Sequence, residues 1–423
     1  MLQANLAPDN QTEPYTGEES ESFFQEAGQV FSHAYIAALK QKGLDIVQTK
    51  SENCTITDSH NNTYLDGYTS AGIFNLGRRH PGVIAELVRA SRETDQGNFV
   101  AISEEKARFA EQLCRFMPHS LDCALFTVVR GEAMDAACKL ARGYTGKSRL
   151  VTVAGGAYGH TGFAMSLSGY AAKDQFGSLI PDIMEIPFAD IAAARTAIDK
   201  TTAAVIIEPV QTENGCRPAN QKYLQELRSI CDQTGALLIF DETQTGFGRC
   251  GEKFASDVFQ VLPHIMVIGE AVAAGLFPMS AIVFTRKIKS FFDQHPLIHL
   301  CTFGGHDVGC RVAGKALNVY QEQKPWKTAA HRGKQLRDAL QSMQRRHAAI
   351  QKVDGIGLLQ SIAFQSSLEA SIFCKAAREN GLILVQGEIA PETVVIRPPL
   401  TITESEVNAI IDAMEKTLQD ISS

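Results

Sequence analysis

The stretch Leu237-Leu238-Ile239-Phe240-Asp241-Glu242-Thr243-Gln244-Thr245-Gly246-Phe247-Gly248-Arg249 decides the fold. Four apolar residues rich in branched side chains, closed at once by an acid pair and a glycine-punctuated loop, predict a buried parallel strand that delivers carboxylates to its C-terminal edge. Open α/β sheets place their ligands at that edge. A second apolar run, Ile265 to Ile268, ends in Gly269-Glu270 and a turn rich in glycine and alanine. The site is expected between the ends of these two runs.

Around that centre, 423 residues of 44% hydrophobic content can bury a large core, with length for one large domain and a smaller one. A formal charge of −7 and the absence of a long basic run argue against nucleic acid or an anionic membrane as partner. No apolar stretch reaches the roughly 18 residues that span a bilayer. The amino terminus shows no basic head followed by a hydrophobic segment. Ten cysteines lie scattered without paired metal spacing, so no metal site is expected and a cytoplasmic setting fits.

The two central segments resemble the class III aminotransferases, enzymes of the type I pyridoxal-phosphate fold. The family pattern is an apolar strand, then Asp-Glu-x-Gln-Thr-Gly-x-Gly-Arg-x-Gly, then a strand ending in lysine before a glycine-rich turn. The chain matches from Asp241 through Gly251 and carries Glu270 at the lysine position. The resemblance covers roughly residues 30 to 420. It implies an α/β fold: a large domain with a mostly parallel seven-stranded sheet, plus a small α+β domain. The division expected is a flexible arm at 1–22, the N-terminal part of the small domain at 23–75, the large domain with the pocket at 76–315, and the C-terminal small domain at 316–423.

Further segments fall into the same series. Residues 23 to 42 carry apolar positions at helical spacing, and Ile46 to Tyr64 alternates around Ser59-His60-Asn61-Asn62, which predicts a hairpin. Two helices, over 103–117 and 131–143, flank the strand Cys123 to Val128. In the family the junction after this strand holds the cofactor phosphate at a helix amino terminus. Here it reads Val128-Val129-Arg130-Gly131-Glu132, with valine at the hydroxyl position and arginine at the flexible glycine position. The resemblance further implies Tyr158 as the residue stacked on the cofactor ring, His160 beside it, Asp241 under the ring nitrogen, and Gln244 near it. It implies Glu208, Glu213 and Arg397 as substrate-binding residues, the last two forming a gate for a substrate carboxylate. Thr302, within Thr302-Phe303-Gly304-Gly305, is the hydroxyl one subunit lends to its neighbour's phosphate, which implies a homodimer. Long helices are expected over 309–347, and Thr403 with Glu406 forms a helix cap.

In a family member the lysine holds the cofactor as an imine and then shuttles a proton. Glu270 forms no imine but can move a proton if burial raises its pKa. Placed near Asp241, it adds repulsion of about 4 kcal/mol per charge pair at about 4 Å and an effective dielectric near 20. Together with Val129 and Arg130, this leads to the expectation that no cofactor is covalently bound and that noncovalent pyridoxal or pyridoxamine phosphate is doubtful. The reading is then a divergent enzyme without classical transaminase activity. Its pocket would bind an acidic or amino-acid-like small molecule, with Glu270 and His160 as acid/base groups. Two alternatives stay open: a non-catalytic subunit or binding protein, and a lysine-independent enzyme of the same cofactors.

Overall fold

In the computed structural model, which describes residues 17–95 and 101–422, Leu237–Asp241 is a strand buried at all five positions. It lies inside a seven-stranded sheet whose members are β1 (Leu121–Thr127), β2 (Arg149–Val153), β3 (Ile183–Ile186), β4 (Thr202–Ile207), β5 (Leu237–Asp241), β6 (Ile265–Ile268) and β7 (Ser280–Thr285). The order across the sheet is β1-β7-β6-β5-β4-β2-β3. β5 is parallel to β4 and β6, and β2 is parallel to β3 and β4. β7 runs antiparallel to both its neighbours, so the sheet is mixed but mostly parallel.

Successive side chains of a strand leave on opposite faces. Leu237 and Ile239 enter the apolar layer beneath helix α1 (Arg130–Thr145), beside Ala133, Ala137 and Leu140. Leu238 and Phe240 enter the layer formed with Tyr223, Leu224 and Leu227 of helix Gln221–Thr234. Burial on both faces explains why the run is apolar at every position rather than alternating. Each such side chain stabilises the fold by about 1.5–3 kcal/mol.

The two ends of the chain build the smaller part together. Leu382–Ile383 pairs in parallel with Thr63–Asp66 and completes a sheet with Gln48–Glu52 and Thr55–Asp58. A second four-stranded sheet joins Lys352–Ile356, Leu359–Ala363, Thr393–Ile396 and Val385–Gln386. The expected hairpin forms because Asp58 Oδ1 accepts the His60 and Asn62 N–H groups at 2.9 and 2.8 Å, closing the turn. The Thr403 cap forms as well: Glu406 N–H donates to Thr403 Oγ1 at 3.3 Å and Thr403 N–H to Glu406 Oε2 at 2.7 Å. Of the arm expected at 1–22, residues 1–16 lie outside those described, and the remainder opens the helix Gly17–Val30. The division placed after residue 315 falls inside the helix Asp307–Gln323.

Arg249, fully buried, ties the two parts: its guanidinium donates to Leu358 O at 3.0 Å, to Pro398 O at 2.5 Å and to Asn75 Oδ1 at 2.6 Å. Among the described residues no helix is long and apolar enough to cross a membrane, and no cluster of His, Cys, Asp or Glu could hold a metal ion. All ten cysteines are free thiols.

Candidate active site

At the C-terminal end of β5 the chain must satisfy a carboxylate that is 1% exposed, that of Asp241. Its Oδ1 accepts the Thr243 N–H at 2.9 Å and the Thr243 hydroxyl at 2.5 Å. Its Oδ2 faces Arg130, with Nε at 3.3 Å and Nη2 at 3.1 Å. Arg130 Nη2 also meets Glu208 Oε1 at 3.2 Å and the carbonyl of Ala157. Glu208 Oε2 in turn accepts the Ala157 N–H at 2.9 Å. Two buried carboxylates thus share one guanidinium. Burial opposes the charge on Arg130, but Asp241 and Glu208 outweigh it and hold the arginine above its ordinary pKa. Burial, opposed by Arg130 but reinforced by Asp241, pushes Glu208 up.

Arg130 is also the first residue of α1, whose amino-terminal amides have no partner within the helix. Glu132 secures one loop amide, accepting the Val128 N–H at 2.8 Å. Glu270, delivered by β6 through Gly269, accepts the Arg130 N–H at 3.0 Å. Its carboxylate therefore sits on the positive end of α1.

A second polar cluster forms where the chain's C-terminal part reaches the sheet. Arg397, 2% exposed, donates through Nη1 to Glu213 Oε1 at 2.9 Å and to Gln244 Oε1. Gln244 Nε2 donates to Glu213 Oε1 at 3.1 Å, and the Glu388 N–H to Glu213 Oε2 at 3.2 Å. The Tyr68 ring lies 5.1 Å from the guanidinium, while Arg397 Nε is buried with no partner. Burial raises the pKa of Glu213, yet Arg397 and Gln244 outweigh it and hold the carboxyl below the ordinary glutamate range.

A cavity of about 520 Å³ lies between the clusters. Arg130, Gly131 and Glu270 line one side, Glu213, Gln244 and Arg397 another, and His160 stands at the rim. Seven expected site residues are thus brought to one cavity. Asp241 and Glu208 sit behind the Arg130 guanidinium, and the Glu132 carboxylate is spent on its own helix start. Thr302 is exposed and off this cavity's wall. Tyr158 does not reach the cavity: its ring is fully buried in the layer under α1, its hydroxyl donates to Ile206 O at 3.3 Å and its N–H to Ser168 Oγ at 2.8 Å. The physical reason is the run Gly155-Gly156, bare enough for the ring to fold inward, since a Cβ on Gly156 would lie 2.3 Å from the Tyr158 hydroxyl. The aromatic residues on the cavity are instead Tyr68 and Tyr170, the latter stacked on His160 at 4.5 Å and 14°. Sequence reasoning missed Tyr170 and Tyr68; Tyr68 stands two residues after the strand Thr63–Asp66, and nothing in the spacing marks either tyrosine.

The fold and this arrangement define a class. The chain matches the model of the aminotransferase class-III family over residues 36–418 and belongs to that family. It is 32% identical over 377 residues to an uncharacterised aminotransferase of Archaeoglobus fulgidus, covering 89% of each chain. It is 30% identical over 379 residues to the putrescine aminotransferase of Pectobacterium atrosepticum, covering 87% of this chain and 81% of the relative. Among solved structures it resembles the ornithine aminotransferase of Toxoplasma gondii, with a TM-score of 0.87 at 27% identity over 95% of this chain and 96% of that one.

These matches correct the expectation of an enzyme without classical transaminase activity, and its alternatives of a non-catalytic subunit or binding protein and of a lysine-independent enzyme of the same cofactors. Relatives spanning nearly the whole chain are aminotransferases by name. The same finding corrects the expectation that noncovalent pyridoxal or pyridoxamine phosphate is doubtful. Glu270 and Asp241 are not bare neighbours: Arg130 pairs with Asp241, and an α1 amide holds Glu270.

Proposed function

We propose that the chain is a class III aminotransferase that moves an amino group between carboxylate-bearing small molecules, using noncovalently held pyridoxal or pyridoxamine phosphate and working as a cytoplasmic homodimer. The observation that carries this reading is the buried Arg397, drawn to the cavity by Glu213 and Gln244 and keeping an unpartnered Nε. A fixed guanidinium on a cavity wall grips carboxylates in a two-point mode that lysine does not reproduce.

The donor set suits the cofactor. Asp241 offers a carboxylate to a protonated ring nitrogen, and the amides at the start of α1, with Gly131, suit a phosphate. The groups now in those places, Arg130 and Glu270, are ends of flexible side chains. When bound, the cofactor supplies an aldehyde carbon that takes up an amino group and a ring that holds the electron pair of a broken C–H bond. The protein does the rest. Asp241, locked by both Thr243 donors, keeps the ring nitrogen protonated. Arg397 orients the substrate by its carboxylate, and Glu213 releases or recaptures that guanidinium as the substrate comes and goes. Glu270, delivered by β6 beside the start of α1, would take the proton from the substrate carbon that bears the amino group. His160 and Tyr170 cover the mouth of the cavity.

The relatives named for ornithine and putrescine set the first donors to try. The test is a half-reaction: protein mixed with pyridoxal phosphate is given each amine, and conversion to pyridoxamine phosphate is followed by absorption and chromatography. Conversion with a carboxylate-bearing donor, abolished in Arg397→Ala, is expected. A protein that binds the cofactor yet converts none of it with any donor overturns the reading.

A further inference from the structure

Both polar anchors of the cavity are filled by the chain itself. Asp241 Oδ2 holds the Arg130 guanidinium through Nη2 at 3.1 Å, and Glu208 Oε1 shares that nitrogen at 3.2 Å. A guanidinium is a flat cation that donates N–H bonds in its plane, as a protonated pyridine nitrogen does. The start of α1 holds the Glu270 carboxylate through the Arg130 N–H at 3.0 Å. That turn is kept bare by two glycines. Gly159 has φ +120°, a conformation that suits glycine, and a Cβ there would lie 2.9 Å from Gly131 Cα. A Cβ on Gly131 would lie 2.8 Å from Thr161 Oγ1, which is buried without a partner. An orphaned hydroxyl beside an occupied anion seat points to a ligand with more acceptor atoms than one carboxylate.

We infer that Arg130 and Glu270 are internal stand-ins for the cofactor, the guanidinium for its ring nitrogen and the carboxylate for its phosphate, and that the cofactor binds by displacing both. The inference rests on the cofactor reading above. It makes the cofactor-free chain a completed structure, and it makes affinity the outcome of a competition between ligand and side chains. Displacement also has a consequence for Glu270. Once phosphate takes the α1 amide, the carboxylate is released to act as the base.

The two stand-ins predict crossed effects. Cofactor-free wild type, Arg130→Ala and Glu270→Gln are titrated with pyridoxal phosphate, with pyridoxal, and with inorganic phosphate, following absorption and melting temperature. Arg130→Ala is expected to bind pyridoxal and pyridoxal phosphate each about tenfold tighter, a difference of about 1.4 kcal/mol. Its cofactor-free melting temperature falls, because Asp241 and Glu208 then face each other with no cation. Glu270→Gln is expected to gain affinity for pyridoxal phosphate and inorganic phosphate but not for pyridoxal. If Arg130→Ala binds pyridoxal phosphate more weakly while pyridoxal is unchanged, Arg130 is a phosphate ligand and the inference is overturned. Equal binding by all three proteins overturns the stand-ins and leaves the function reading intact, whereas no binding by any of them removes the cofactor reading on which both depend. Glu270→Gln keeps the test open should Arg130→Ala fail to fold.

Discussion

Arg397 is the residue on which the proposed substrate grip and the stability of the fold meet. Its partner Glu213 is buried and held below the ordinary glutamate pKa because Arg397 and Gln244 outweigh the cost of burial. A depressed folded-state pKa contributes stability that is present above the unfolded value and lost as the pH falls through the folded one. The pair should therefore support the fold at neutral pH and fail in acid, below the ordinary glutamate range. Arg397→Ala leaves an uncompensated buried charge and is expected to cost about 3–5 kcal/mol in a denaturant titration at pH 7. Glu213→Gln removes the acid-dependent part of that loss; an unchanged acid slope in this variant would remove the pair from the explanation. At this scale the sequence was informative wherever a residue type had one plausible use. Glu213 and Arg397 were legible as a pair only through the resemblance to the class III aminotransferases, whose gate residues they match; the ion pair between them is present. Arg130 was legible as a departure from pattern but not as the partner of Asp241, since no spacing reports where a long side chain bends.

Elements are held in register by groups at their ends, and β5 has such a group in His264. Its Nδ1 accepts the Leu238 N–H at 2.8 Å, fixing the start of the strand that carries Asp241. Burial, then the nearby Arg228, lowers the His264 pKa to about 4. The folded state thus keeps the ring neutral while the unfolded chain protonates near the ordinary histidine value of 6.5. Stability from this contact is fully present above that value and is lost as the pH falls from there toward about 4. His264→Asn retains an acceptor without the titration, and its unfolding midpoint is expected to flatten across that window relative to wild type. If both proteins show the same slope, the cap is not what titrates. The elements themselves were largely readable. β5 and β6 followed from apolar runs closed by acids, and the hairpin at Ser59–Asn62 from its turn residues. What escaped was pairing between distant segments: Leu382–Ile383 is too short to signal a strand, and only its parallel match to Thr63–Asp66 gives it one. The inward turn of Tyr158 escaped for a related reason, because room beside Gly155-Gly156 exists only once β2 and its loop are in place.

For the whole molecule the open surface matters more than the core. Leu297, Ile298, Leu300 and Phe303 are each more than half exposed within seven residues of sequence, at 71%, 57%, 53% and 52%. Thr302 stands exposed among them, and it lies off this chain's own cavity. A cluster of large apolar side chains in water is an association surface in waiting, since their burial gains about 25 cal/mol per Å². The proposed homodimer would bury this run and carry Thr302 toward the neighbour's α1. Wild type is accordingly expected to sediment at twice the chain mass of 46.0 kDa. Leu300→Asp combined with Phe303→Asp should yield monomers and lose the preference for pyridoxal phosphate over pyridoxal. Thr302→Ala should stay dimeric yet reduce that preference about tenfold, the worth of one hydrogen bond to a charged group of about 1.5–3 kcal/mol at its lower end. The two variants separate assembly from phosphate contact. A double variant that remains dimeric puts the interface elsewhere, and a dimeric Thr302→Ala with undiminished preference leaves the run as an interface whose threonine contributes nothing to the neighbour's site.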